Sequence, residues 1–417
     1  MNRFACVSLV LIAALCVFRP LMAQTTPRPL QPLIDATPIA GTLTLAPGVY
    51  AGPVTLERPI TIEGGGKATI DGGGQGTVVT VATNGATLAG LRIVNSGMLH
   101  DRLDSAIQVR GRYNILKDNL IEECLIGIAL NRADNNVIRR NTIRPRDDEI
   151  GMRGDGIRLW YSMENAIQDN IIENARDTVV WYSKNNKVIG NRLTGGRYGL
   201  HFMYAKYNLV KDNVLEGNTV GIFLMFSDDI EVHNNRIIHS QGPSGMGIGL
   251  KEASGAVIIG NDILSNAIGI YSDLSPNDPE MPVRIEDNRI AYNGMAMTFL
   301  SDWEGMQVRR NDFVSNFGTI VVQGGGTALR HEWAGNHWDA YEGFDRNRDG
   351  VGDSPYEVHS YADRLWVDVP DAQFFRASPM LEILDFMERL APFNQPRLIM
   401  RDGSPAMRPV AAKTVPR

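Results

Sequence analysis

The chain has 417 residues, 43% of them apolar and 21% charged, with 41 Lys and Arg against 47 Asp and Glu and a formal net charge of −6. Such a composition buries a sizeable core, which excludes a disordered polymer. No basic stripe runs through it, which excludes nucleic acid as a partner. Glycine is enriched, at 42 of 417 against a usual share of roughly 7%.

In chain order, residues 1–23 read as a secretory signal: Arg3 supplies the positive start, an apolar stretch runs from Phe4 to Phe18, and Leu21-Met22-Ala23 supplies the cleavage site. Leu21 is larger than that position prefers, and Leu15 before Cys16 is too bulky for lipoprotein processing. Cys6 and Cys16 leave with the signal, so Cys124 stays alone, without an internal disulfide and as a small core residue. The expected compartment is the periplasm. Residues 24–40 are Pro-rich and expected to be a linker.

From 41 to about 340 one pattern dominates. Asn followed by x-apolar recurs at Asn119, Asn141, Asn170, Asn191, Asn213, Asn235, Asn261, Asn288, Asn311 and Asn336, with a second Asn five residues earlier at Asn114, Asn136, Asn165, Asn186 and Asn208. A second limb, Gly-apolar-x-apolar, is marked by Gly127, Gly156, Asp177, Gly199, Gly221, Gly247 and Gly269. From each of the first six markers to the next Asn the distance is 14. The unit is therefore about 22 residues, a repeat period. A leucine-rich repeat needs Leu-x-x-Leu-x-Leu and a helical return, and neither is present. Short alternating Ile/Val limbs with Asn and Gly at the corners are strand and corner signals. They predict an all-β right-handed parallel β-helix of roughly ten or eleven coils, stacked about 4.8 Å apart, with Asn ladders at its turns. Longer spacings place loops at Arg144–Arg153 and Ser240–Gly245 on one corner and at Leu274–Pro282 on another.

Strand alternation then separates inside from outside. With each marker at position 0, positions 1 and 3 face inward. Position 4, facing outward, reads Trp160, Trp181, Met203 and Met225; position 2 reads Arg158, Val179, His201 and Phe223. A merely solvated face would be polar, so this stripe is a candidate binding surface. Trp160, Trp181 and Phe223 are docking candidates. His201, Met203 and Met225 offer imidazole and thioether, which suit the soft ion Cu(I). Met246 is a fourth candidate, one residue before a marker, where a core-facing orientation stays open. The thioethers are equally readable as apolar docking residues.

Asp155 and Arg176 precede markers in adjacent coils and are expected to pair. Past the rod, an irregular capping segment over 341–376 holds Asp345, Asn347, Asp349 and Gly350 at calcium-loop spacing, with Tyr356 where an EF-hand needs Glu and Asp353 as a possible substitute. An ordinary Asx-rich turn is the other reading. Ser378-Pro379 opens a helix over 377–393. Its stripe of Met380, Ile383, Leu384 and Met387 either caps the last coil or docks on a membrane protein. Residues 394–417 are expected to be a loose basic tail.

Several runs resemble the NosD family of periplasmic maturation factors for nitrous oxide reductase: Gly-Asp-Gly-Ile-Arg-Leu-Trp-Tyr-Ser at 154–162, Val-Val-Trp-Tyr-Ser at 179–183, Arg-Tyr-Gly-Leu-His-Phe-Met-Tyr at 197–204, Val-Gly-Ile-Phe-Leu-Met-Phe-Ser at 220–227, Gly-Met-Gly-Ile-Gly-Leu-Lys-Glu at 245–252 and Gly-Asn-His-Trp-Asp at 335–339. The resemblance covers roughly 41–395. It implies an accessory protein, not an enzyme. Its partners would be the ATPase and membrane subunits of an ABC transporter, a copper-donating lipoprotein and nitrous oxide reductase, whose copper–sulfur cluster it helps to assemble. Transient Cu(I) is the implied cofactor, and calcium is the further metal that the Asp-rich loop suggests. The competing readings are a polyuronide lyase, for which Arg158 with Asp177 is the best remaining pair, and a metal-free docking platform.

Overall fold

The computed structural model describes residues 26–360, 383, 387 and 396–410. They form a parallel β-solenoid of about 14 turns, each of about 23 residues. The sequence spacing anticipated ten or eleven. The difference lies in the first coils, residues 42–94, which turn on Gly and Pro corners rather than the Asn marker. There, the strands Thr61–Asp71 and Thr87–Val94 each bend across two faces.

From Ser105 on, each coil contributes one longer strand, such as Tyr198–Met203, to a 12-stranded parallel sheet, and two short strands, such as Leu209–Lys211 and Val214–Glu216, to the other walls. The inward positions are sealed: Ile157, Leu159, Leu200, Phe202, Ile222 and Leu224 are all 0% exposed. Ile, Leu and Phe fill them, large apolar side chains that pack on a pleated surface.

The corners carry the polar half of the fold. Asn191 shows the unit: its Oδ1 accepts the backbone N–H and the side-chain amide of Asn170, both at 2.9 Å, and its own amide donates to Ile167 O and to Asn213 Oδ1. The same bonds repeat from Asn119 to Asn336, and a parallel ladder runs from Asn114 to Asn208. A third, Asn266–Asn293–Asn316, was not anticipated. These buried amides satisfy backbone groups that water cannot reach. The three loops fall on the corners that the spacing predicts. Cys124 is buried in the core, where desolvation pushes its thiol up to about 11.

Both ends of the rod differ from expectation. Within the supposed linker, Arg28–Pro29 pairs with Gly48–Ala51, and Gln31–Ala36 is a short helix that buries Ile34, with Leu30 beside it, over the first coil. Within the supposed tail, Arg397–Asp402 pairs antiparallel with Tyr356–Ser360. Asp402 is 0% exposed and takes the next place in the Asn ladder: its carboxylate accepts from the Asn336 backbone, the Asn336 amide and Trp338 Nε1. An open coil end needs capping, and these segments bury apolar residues to provide it. Met380 and Leu384 lie outside the described residues, as does the signal segment. Ile383 and Met387 are helical and exposed.

Candidate functional site

The outer surface of the 12-stranded sheet between residues 157 and 226 is the chemically distinctive region. The register aligns Trp160, Trp181, Met203 and Met225 in one column and Arg158, Val179, His201 and Phe223 in the next. All four members of the first column are half-buried, as are Arg158 and Phe223.

The two columns are bounded by a third that sequence reasoning missed. The residue after each position 4 turns the corner with a left-handed backbone: Tyr161, Tyr182, Tyr204 and Phe226 have φ of 48°, 50°, 50° and 48°. Their rings stack along the rod at 4.9, 5.1 and 5.0 Å, with interplanar angles of 7°, 15° and 12°. The available signal was an aromatic at spacings of 21, 22 and 22. Trp160 lies edge-on to Trp181 and Tyr182, so the two aromatic columns interlock.

Beneath them runs an ion network. Asp155, 1% exposed, accepts from Arg158 Nη1 at 3.0 Å and from Arg176 Nη2 at 2.9 Å. The pairing of Asp155 with Arg176 is the one expected from sequence. Asp177, also 1% exposed, accepts from Nε and Nη2 of Arg197 and lies near Arg176. The candidate lyase pair of Arg158 with Asp177 is therefore not made. Asp155 is paired with Arg158 and Arg176, and Asp177 with Arg197. Arg158 also lies 4.7 Å over the Trp181 ring, a cation–π contact that holds both side chains against the sheet.

His201 sits at the centre of this face. It points outward, between inward-facing Leu200 and Phe202, yet it is only 6% exposed. Tyr198, Trp181 and Phe223 enclose its ring at centroid distances of 4.7, 5.4 and 6.0 Å. Neither ring nitrogen has a hydrogen-bond partner. Burial, reinforced by the nearby Arg197 charge, lowers its pKa to about 4, so the imidazole is neutral. Met203 lies two residues along the same strand and pairs in register with Met225. Met246 is half-buried, and its sulfur lies 3.4 Å from where a Cβ on Gly249 would stand. That point is on the outer face, beside Phe223, so Met246 joins this face rather than the core.

The Asp-rich loop does not gather calcium ligands. Asp345 accepts from the amides of Asp349 and Gly350, Asn347 from Asp349, Asp349 from Val351, and Asp353 from Arg346. The oxygens are spent on the loop's own backbone, the signature of Asx turns. Among the described residues no group of three or more His, Cys, Asp or Glu is placed to hold a metal ion.

Fold and face together define a right-handed β-helix protein whose individuality lies on the outside of one sheet. Residues 60–201 match the right-handed β-helix region family. Residues 144–343 match the family described as periplasmic copper-binding protein (NosD). Proteins named probable ABC transporter binding protein NosD are similar along most of the length. The one from Pseudomonas aeruginosa is 28% identical, covering 92% of this chain and 93% of its own. The one from Stutzerimonas stutzeri is 26% identical, covering 84% and 83%. Over most of its length the chain is thus similar to proteins of the NosD family. Among solved structures, the A-module of the Azotobacter vinelandii mannuronan C-5 epimerase AlgE6 superposes with a TM-score of 0.54 at 17% identity, covering 70% of this chain and 93% of that one. A mannuronic-acid-specific family 6 polysaccharide lyase from human gut microbiota gives 0.51 at 13%, covering 75% and 84%. Those likenesses are of fold.

Proposed function

We propose that this chain is a periplasmic accessory protein that works with an ABC transporter and handles Cu(I) as cargo during assembly of the copper–sulfur cluster of nitrous oxide reductase, without catalysing a reaction itself. The observation that carries the reading is the outer face of residues 157–226. Four coils that a solvated rod would cover with charge instead present indole, phenol, thioether and a neutral imidazole. Soft neutral donors suit a soft monovalent ion, and an interlocked aromatic surface suits a partner protein. The family description as periplasmic and copper-binding, and the relatives' naming as ABC transporter binding proteins, support the same assignment. A copper-donating lipoprotein, the transporter subunits and the reductase are the partners this role requires. Among the described residues no helix is long and apolar enough to cross a membrane.

The test is an anaerobic titration of the full chain with Cu(I) against a chromophoric chelator, run beside an ultraviolet assay for unsaturated uronide release. Copper taken from the chelator with no uronide product is the expected result. Copper refused would leave a docking platform, and uronide release would make the protein a lyase.

A further inference from the structure

Among the described residues eleven buried polar side-chain atoms lack a hydrogen-bond partner; five of them gather in one place, and the others lie apart at Arg139, Arg146, Ser240, Ser301, His331 and His337. His201 Nδ1 and Nε2, Trp181 Nε1, Arg158 Nε and Arg176 Nε all belong to the small face around His201. A buried polar group without a partner costs about 1–3 kcal/mol, and native structures carry few of them, each with a reason. His201 is the extreme case, because both of its ring nitrogens lack a partner and a neutral imidazole has one acceptor nitrogen to satisfy.

We propose that His201 is the nitrogen ligand of a two-thioether Cu(I) site, completed by Met203 and Met225, with Trp181, Tyr198 and Phe223 as its walls. This rests on the copper-handling role proposed above and names the site for it. His201 and Met203 stand two residues apart on one face of a strand, about 6.6 Å between Cα atoms, and Met225 is the in-register neighbour of Met203 about 4.8 Å away. A Met side chain is long and unbranched, with three rotatable bonds, so both sulfurs reach an ion held at the imidazole. The available nitrogen lone pair is the acceptor that nothing in the protein uses.

The surroundings select the ion and set how firmly it is held. The nearby carboxylates, Asp155 and Asp177, are occupied by Arg158, Arg176 and Arg197. A hard divalent cation therefore finds no oxygen ligand and three guanidinium charges. A monovalent soft ion gains three neutral donors but no anion, and it sits beside a net positive network. Such a site holds its ion without a charge partner and gives it up readily, as a cargo site must. The ring nitrogens are covered, so the ion passes only when one of the half-exposed walls swings aside.

The experiment uses the full chain under anaerobic conditions, with Cu(I) and its redox-stable analogue Ag(I) as probes and Ca(II) and Zn(II) as controls. His201→Phe keeps an aromatic ring in the pocket and removes both nitrogens. Its Cu(I) affinity is expected to fall at least about tenfold, the loss typical even of a supporting residue at a metal site. Met203→Leu with Met225→Leu is expected to do the same. In the unaltered protein, Cu(I) and Ag(I) should quench Trp181 emission, a signal identified by its loss in Trp181→Phe, and Ca(II) should not. X-ray absorption of the copper-loaded chain should show nitrogen and sulfur in one shell, and this needs no variant to fold. Cu(I) bound in an all-sulfur or all-nitrogen shell, or bound unchanged by both variants, would overturn the site while leaving the copper role intact. No Cu(I) bound by the unaltered chain would overturn the copper role itself.

Discussion

The coils carrying residues 157–226 and those carrying 247–299 share one backbone and differ on the outside. Along the same register, the column of Trp160, Trp181, Met203 and Met225 continues as Lys251 and Asp273, which form an ordinary surface ion pair at 3.8 Å. The column of His201 and Phe223 continues as Gly249, Tyr271 and Thr298. The left-handed corner that holds the tyrosine stack is kept at Glu252 and Leu274, with φ of 48° and 45°. The corner geometry is thus a property of the coil, and the aromatic rings are an addition to it. Stability is supplied by the inward apolar layers and by the Asn119–Asn336 ladder, which run through both regions. The outer face is therefore free to become a site in one region and plain surface in the next.

The largest expected effect tests what the two regions share. Asn191→Ala strands the Asn170 backbone N–H in a dry interior, takes one of two partners from the Asn170 amide and removes the amide donor to the Ile167 carbonyl. The cost is about 3 kcal/mol or more, read as a lower denaturation midpoint. Asn261→Ala, beneath the charged region, removes the equivalent bonds from Asn235 and is expected to cost the same. A tolerated Asn261→Ala beside a damaging Asn191→Ala would mean that the ladder serves the site and not the rod.

The ladder was legible because its signal is strictly local. An Asn at a fixed offset from an apolar pair needs one residue type at one position, and 14-residue spacings repeat it. The outward columns were legible for the same reason, since alternation alone assigns them. What was not legible depends on contacts between coils. Nothing in the local pattern around His201 says that Trp181 of the preceding coil and Phe223 of the following one close over it together with Tyr198 of its own strand. Nothing in the 394–417 composition says that Asp402 imitates an Asn. The tyrosine stack lay between these cases: its spacing was visible, but its role needed the left-handed corner that brings the rings face to face.

A smaller effect separates ring stacking from corner strain. Tyr204→Ala removes two stacked contacts, with Tyr182 and with Phe226, each about 0.5–1.5 kcal/mol. Tyr204→Gly removes the same contacts but relieves a left-handed conformation that costs about 1–2 kcal/mol for any residue with a Cβ. Glycine is therefore expected to be the milder substitution. At Glu252, where the corner holds no ring stack, glycine should be close to neutral. If Tyr204→Ala and Tyr204→Gly were equally damaging, the corner would carry no strain for glycine to relieve.

The smallest effect falls on the border between the two regions, where the Phe223 ring leans over Gly249. A Cβ at Gly249 would stand 2.5 Å from Phe223 Cδ2 and 2.8 Å from Cε2. Gly249→Ala therefore forces the ring aside, and the expected cost is about 1 kcal/mol. The ring is the far end of a rotatable side chain, so the backbone need not move. In a Phe223→Ala background nothing obstructs the new methyl group. Alanine then restricts the unfolded chain more than glycine does, so the same substitution should be neutral or mildly stabilising. Thermal unfolding of the two single variants and the double variant completes the cycle, with an expected coupling of about 1 kcal/mol. Equal costs in both backgrounds would show that the glycine answers to the strand beneath it. A measured coupling would instead fix Gly249 as the notch that lets Phe223 close the wall beside His201, and would mark where the site ends and plain surface begins.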